Sequence, residues 1–148
     1  MKKRCIENAP PSMLINELSK LFNDRMRQRT EAMGMAEGWR RILFHLKHNE
    51  HLTQLELVKK THLSAPAVSV NLQKMEAAGL VSRENDPEDQ RAILVRLTEQ
   101  GHEADRKVIG AIRQTEQEML AGITPEELEQ IRPILLKMIR NFTEEGME

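Results

Sequence analysis

Residues 64–74 read SAPAVSVNLQK, and their side chains suit hydrogen bonding to the edges of bases and contact with phosphates. Ser69, Asn71 and Gln73 can both donate and accept hydrogen bonds, and Lys74 can meet a phosphate. The stretch contains no acid, and its small residues would let a helix backbone approach a base edge closely. An ordinary amphipathic helix with a polar outer face is the competing interpretation, and the stretch alone favours neither.

The spacing of apolar residues separates the two faces of this predicted helix. Val68, Leu72 and Met75 recur at intervals of four and three residues, so we expect them to face the core. The residues expected to contact nucleic acid are Ser64, Ala65, Pro66, Ala67, Ser69, Val70, Asn71, Gln73 and Lys74.

A second stretch, ENDPEDQRAILVRLT at residues 84–98, joins a charged turn to an alternating apolar run. The alternation predicts a strand, and the turn around the proline predicts the tip of a hairpin extended into solvent. Such a tip can place Arg91 in the minor groove of DNA, where the negative potential is enhanced. We expect Asp89 to hold this guanidinium by a charge-assisted hydrogen bond, the alternative being a solvated turn with a weak surface ion pair. The contacts predicted from this hairpin are Arg83, Asp89, Gln90 and Arg91.

Helices must position these two stretches, and local signals mark where the helices start and end. Apolar residues at helical spacing begin after Ser12, and a second helix begins at Trp39. Strands are expected at residues 80–83 and 92–97, with a long helix starting at Thr98.

Capping signals support these boundaries. Thr53-Gln-Leu-Glu and Thr124-Pro-Glu-Glu are capping boxes, in which two side chains satisfy free N–H groups at a helix start. Ser64 suits an N-cap, and Gly79 suits the position just after a helix end.

The expected fold is mostly α with a small β hairpin, in the order helix, helix, short helix, turn, helix, two-stranded hairpin, long helix, long helix. Two short helices followed by a strand pair are typical of a winged helix-turn-helix, whose second helix lies in the DNA major groove. We expect a flexible tail at residues 1–12, a helical dimerisation region at residues 13–36 and 99–144, and a winged helix-turn-helix DNA-binding domain at residues 37–98.

The last predicted helix carries an apolar seam. A terminal helix this apolar needs more cover than one small domain supplies, which favours a homodimer. The alternative is that it folds back on the first helix of its own chain. The predicted dimerisation residues are Leu14, Leu18, Leu128, Ile131, Leu135, Met138 and Phe142.

The run Asp89-Gln-Arg-Ala, continuing ILVRLTEQG, resembles the wing signature of the MarR family of bacterial regulators. That signature is Asp-x-Arg, then alternating apolar residues, then Leu-Thr-x-x-Gly. The segment MEAAGLVSRENDPEDQR resembles the end of the family's recognition helix and its wing, and the resemblance covers about residues 13–142. It implies a dimeric DNA-binding regulator, with Arg91 in the minor groove and Asp89 supporting it. We expect a ligand-responsive repressor that binds a pseudo-palindromic operator.

Members of that family often bind small aromatic acids, drugs or metals, so an effector is a further expected partner. Met33, Met35 and Trp39 could line a crevice between the dimerisation region and the DNA-binding domain, with core filling as the alternative. The basic residues that could attract an anion near this crevice, or simply form solvated faces, are Arg25, Arg27, Arg29, Arg40 and Arg41.

Neither the cysteine nor the histidines give a clear site. Cys5 lies in the tail between basic residues and a proline pair, where incidental exposure is favoured over oxidant sensing. His45, His48 and His51 have a spacing that only partly suits one helix face, so we assign no metal site and expect no cofactor.

Composition excludes several classes. One cysteine cannot form an intrachain disulfide, and the absence of an apolar run of membrane-spanning length favours a cytoplasmic protein with no membrane partner. The sequence lacks a Gly-rich phosphate loop and zinc-protease spacing, so we expect no enzyme. Residues 52–98 hold 6 Lys+Arg against 6 Asp+Glu, and this neutral balance keeps open a winged-helix protein-interaction module that does not bind DNA.

Overall fold

The computed structural model describes residues 6–143. Its helices and strands, in chain order, are α1 (Pro11–Ala32), α2 (Trp39–Lys47), β1 (Leu52–Thr53), α3 (Gln54–Thr61), α4 (Ala65–Ala77), β2 (Val81–Asn85), β3 (Ile93–Leu97), α5 (Glu99–Met119) and α6 (Pro125–Thr143). Cys5 and residue 144 lie outside the described residues. The first helix begins at Pro11, inside the predicted tail, because proline is tolerated at a first helical position, where its missing N–H has no partner to lose.

The chain divides into two compact units, Met1–Thr115 and Glu116–Glu148. The first unit contains an aliphatic and methionine-rich core, and the face of α4 predicted to be buried is buried completely. The fully buried large side chains of this core are Met26, Ile42, Leu43, Leu57, Val68, Leu72, Met75 and Val95.

The predicted hairpin is confirmed as β2 and β3, and β1 adds a third antiparallel strand, so that the strand order is β1-β3-β2. In β1, Leu52 pairs with Val95 and Thr53 with Leu94. A two-residue strand is too short to show alternation, and its partner lies far along the chain. The hairpin is also longer than expected at its tip, because Asn85 still pairs with Ile93.

Capping contacts set the ends of the helices in the winged helix. The predicted box at α3 is present: the Thr53 hydroxyl accepts from the Glu56 N–H at 3.1 Å, and the Glu56 carboxylate accepts from the Thr53 N–H at 2.8 Å. Ser64 accepts from the Ala67 N–H at 3.2 Å at the start of α4. Gly79 has a φ of +78°, which ends α4 and directs the chain into β2.

The Leu-Thr-x-x-Gly sequence fastens the end of the wing to α5. The Thr98 hydroxyl donates to the Gly79 carbonyl and accepts from the Gly101 N–H at 3.1 Å. The Thr98 N–H donates to the Leu80 carbonyl at 3.0 Å. A Cβ at Gly101 would collide with that same carbonyl oxygen, so only glycine allows this close approach.

The second unit contains α6, which starts with the predicted capping box. The Thr124 hydroxyl accepts from the Glu127 N–H at 3.2 Å, and the Glu127 carboxylate accepts from the Thr124 N–H at 2.9 Å. Every described residue of α6 is exposed, and Phe142 is 86% exposed. The exposed residues include the five of the predicted seam, Leu128, Ile131, Leu135, Met138 and Phe142. None of the helices within residues 6–143 combines the length and apolar character needed to cross a membrane.

Candidate nucleic-acid interface

The outer face of α4 is a polar surface free of acids through most of its length. A three-residue connection after α3 ends with the Ser64 cap, so α4 starts next to α3, and His62 in this connection has a φ of +57°. The opposite face of α4 is anchored in the core. The predicted contact residues that the structure leaves exposed are Ser64, Ala65, Pro66, Ser69, Val70, Gln73 and Lys74.

Two residues of the predicted contact surface are turned partly away from solvent. Ala67 and Asn71 are half-buried and line a polar cavity with α1 and the start of α2. The Asn71 amide nitrogen lies 3.0 Å from the position that a Cβ on Gly38 would occupy. Asn71 therefore contacts the α1–α2 connection, which sequence spacing alone did not indicate.

The wing tip is held by backbone turns around Asp89. The Asp89 carboxylate accepts a hydrogen bond from the backbone N–H of Arg91 at 3.1 Å. The backbone carbonyl of Asp89 accepts from the Ala92 N–H at 2.9 Å. The expected hydrogen bond from the Arg91 guanidinium to Asp89 is therefore wrong. The short Asp89 side chain binds the nearer backbone N–H, two residues further along the chain. Arg91 and Gln90 are exposed.

Arg91 and the start of α4 face the same groove. This groove, of about 680 Å³, is lined by Arg91 and Asp89 of the wing, by Ala65 of α4 and by the first residues of α3. Two sequence stretches separated along the chain are thus brought to one side of the molecule. The side-chain oxygen of Gln54, which also lines the groove, is buried without a hydrogen-bond partner among the described residues.

Arg83, the remaining residue predicted to contact DNA, forms an ion pair within the protein. Its Nε lies 3.1 Å from Glu76 Oε2 and its Nη2 lies 3.4 Å from Glu76 Oε1. The hydrogen bond from Arg83 lowers the pKa of the Glu76 carboxyl. The pair ties β2 to the last turn of α4, so it fixes the wing relative to that helix.

Met33, Met35 and Trp39 line a common cavity of about 340 Å³, and Met35 and Trp39 also belong to the buried core, which was the alternative interpretation. Trp39 is only 7% exposed, and its Nε1 has no acceptor among the described residues. The basic side chain that lines this cavity is Lys107 of α5. The predicted arginines do not surround it: Arg40 and Arg41 line the polar cavity beside α4.

His45 of α2 and His48, which follows the end of α2, make aromatic contacts. The rings of His45 and His48 pack edge-on against Phe44, with centroids 5.1 and 4.8 Å away. Burial, followed by the charge of Lys60, lowers the pKa of His45. His51 lies beyond the end of α2, and residues 6–143 hold no group of three or more His, Cys, Asp or Glu that could bind a metal ion.

One feature that sequence reasoning missed joins α2 to α5. Lys47 Nζ lies 3.2 Å from the Asp105 carboxylate, whose side chain is 10% exposed. The signal available in the sequence was an acid placed between Ala104 and Val108, two residues of the core-facing stripe of α5.

Comparisons with known proteins agree with this geometry. A sequence profile described as the MarR family matches residues 33–92. An uncharacterized HTH-type transcriptional regulator of Bacillus subtilis (strain 168), YdgJ, is 34% identical over 109 residues, which is 74% of this chain and 66% of that protein. A MarR-family transcriptional regulator from Silicibacter pomeroyi is 30% identical, with 86% of each chain covered and a TM-score of 0.68.

MarR from E. coli has the same fold. In its apo form it gives a TM-score of 0.81 at 21% identity, covering 88% of this chain and 96% of that one. A mutant of MarR complexed with operator DNA gives a TM-score of 0.70, again at 21% identity, covering 89% and 95%.

Proposed function

Because the chain belongs to the MarR family of transcriptional regulators, we propose that it is a bacterial, cytoplasmic repressor that binds double-stranded DNA as a homodimer. The observation that carries the proposal is the exposed, hydrogen-bonding face of α4 beside a wing that presents Arg91. In this assignment α4 reads base edges in the major groove and Arg91 enters the minor groove. The operator-bound structure of MarR supports this mode, since its chain shares the fold.

The exposed apolar surfaces of the terminal helices support the homodimer. Leu14 and Leu18 of α1 are 40% and 51% exposed, and the whole seam of α6 is uncovered within one chain. A second copy would bury both surfaces and place two α4 helices around a two-fold axis. We therefore propose that residues 13–36 and 99–144 form the dimerisation region and residues 37–98 the DNA-binding domain.

Selection of bound fragments from the organism's own genomic DNA tests the proposal directly. We expect recovered sites to be pseudo-palindromic, with half-sites about one helical turn, or about 10 base pairs, apart. Footprinting should then show protection of both half-sites. Failure to bind even random duplex at low salt would favour the protein-interaction module instead.

We also propose that the cavity around Trp39 takes an effector. The buried indole N–H without an acceptor supports this assignment, because such a group is stabilised by a ligand that brings an acceptor. The expected ligand is an apolar small molecule with a carbonyl, carboxylate or similar oxygen, and Lys107 can add a charge contact.

Trp39 supplies the measurement, because it is the only tryptophan in the chain. A library of small aromatic acids should contain compounds that change its fluorescence and release the selected operator fragment at the same concentrations. Met33→Glu, which places a carboxylate at the partly exposed wall of the cavity, should weaken both effects together. Release of DNA without any change in Trp39 emission would contradict this site.

A further inference from the structure

Arg40 and Arg41 line a polar cavity of about 520 Å³ that the proposed base-reading surface does not use. The cavity is walled by α1, by the start of α2 and by Ala67 and Asn71 of α4. Those two residues are the half-buried members of the α4 contact face, so the cavity borders the proposed DNA-binding surface along one side.

Both arginines are bonded only to uncharged oxygens within residues 6–143. Arg40 Nη2 donates to the side-chain oxygen of Asn23 at 3.0 Å. Arg41 Nη1 donates to the backbone carbonyl of Thr61 at 3.4 Å, which is a long hydrogen bond. A guanidinium offers five N–H donors, so each retains donors for another acceptor.

The acids that line the cavity do not neutralise this pair. Asp24 forms its ion pair with Arg27 at 2.9 Å, and Glu37 is the other carboxylate in the lining. Burial, together with the adjacent charge of Arg41, lowers the pKa of Arg40. The lining holds three arginines, Arg27, Arg40 and Arg41, against the two acids, so its cations exceed its acids by one and it suits an anion.

We propose that Arg40 and Arg41 form a phosphate site that takes a backbone phosphate of the DNA bound by α4, an inference that rests on the proposed function. The guanidinium fork matches the geometry of phosphate oxygens. Phosphates flank a helix that lies in the major groove, and contacts to them fix the register of the protein without reading sequence. Because the cavity borders α4 at Ala67 and Asn71, it lies on one side of the proposed DNA-binding surface, where we place such a flanking phosphate.

The test is the Arg40→Gln/Arg41→Gln double variant, because glutamine keeps an amide donor and removes the charge. Because the slope counts neutralised phosphates and the proposed dimer holds two such sites, the slope of log affinity against log salt concentration should fall by about two in the double variant, while the ratio of affinities for selected and scrambled DNA should stay the same. The corresponding double lysine variant should restore the slope. Arg140→Gln, at an exposed position of α6 on the side opposite the apolar seam, is the matched control and should leave the slope unchanged.

An unchanged slope in a folded double variant would overturn the phosphate site while leaving DNA binding by the unmodified protein intact. Absence of DNA binding by the unmodified protein would instead overturn the proposed function. If the double variant no longer melts cooperatively, Arg41→Gln alone carries the test, since Arg41 is exposed.

Inorganic phosphate distinguishes a free anion from the DNA backbone. The site predicts that phosphate raises the melting temperature of the unmodified protein more than that of the double variant, and that the same variant has the reduced salt slope. A melting difference without a slope difference would mean that the site takes only free anions, which overturns the assignment to DNA.

Discussion

The winged helix and the last helix of this protein use apolar residues in opposite ways. In α2, Trp39, Ile42, Leu43 and Leu46 are buried, while Phe44 is exposed. In α6, an equally regular apolar stripe contains no buried residue. The winged helix therefore finds its core within one chain, whereas α6 needs another surface, which the proposed dimer supplies. The difference separates substitutions that should abolish assembly from those that should change DNA binding alone.

Charge placed on the α6 seam should have the largest effect. Leu135→Glu with Met138→Glu would bury two unpaired carboxylates in the proposed interface, and each buried unpaired ion costs on the order of several kcal/mol. We expect a monomer by sedimentation and loss of operator binding. Arg140→Glu, on the opposite side of the helix by its spacing, changes the net charge by the same amount and should remain dimeric. A well-folded monomer of the unmodified protein would contradict the claim that α6 is covered by a second copy.

Removal of the wing arginine should change DNA binding without changing the fold. Arg91 is exposed and β3 keeps its pairing, so Arg91→Ala should melt like the unmodified protein. Operator binding should weaken by about 1–3 kcal/mol, the usual range for one specific contact. The loss should fall on A·T-rich flanks if Arg91 reads groove width.

Lys74→Ala is the matched control for that substitution. It removes an exposed charge from α4 and should weaken binding to all sequences about equally. Titrations of both variants at two salt concentrations separate the two effects. If Arg91→Ala lost the same affinity for selected and scrambled DNA, Arg91 would contact phosphates without reading sequence.

A smaller effect is expected at Asp89, which orders the backbone around Arg91. Asp89→Ala deletes the acceptor of the Arg91 N–H and should weaken operator binding less than Arg91→Ala does. Asp89→Asn keeps a side-chain oxygen that can close the same turn, so it should bind nearly as well as the unmodified protein. Equal losses for Asn and Ala would show that the negative charge, rather than the turn, is what matters.

The smallest effect is expected at the ion pair between Arg83 and Glu76. The pair lowers the pKa of Glu76 in the folded protein, so its stabilisation is present above the ordinary pKa of glutamate and is lost as the pH falls through the lowered value. Glu76→Gln should therefore be slightly less stable than the unmodified protein at about pH 7, and this difference should be smaller at about pH 4, below the ordinary pKa of glutamate. Urea unfolding at both pH values measures the difference.

Much of the fold was predictable because its signals are local. The capping contacts of Thr53 and Thr124 join residues three apart, and Gly79 ends α4 by its own backbone conformation. The buried face of α4 follows from periodicity within a single helix. Such features depend on neighbours within about one helical turn, so the sequence determined them without knowledge of the rest of the chain.

Only the tertiary structure decided which distant groups meet. β1 exists because two residues pair with β3, and Asn71 is half-buried because Gly38 lies against it. Asp89 binds a backbone N–H, Arg83 binds Glu76, and the arginine pair of α2 lines a cavity away from Trp39. Charge and hydrogen-bonding capacity were visible in each residue type, but the choice of partner depends on distances of a few ångströms that folding sets.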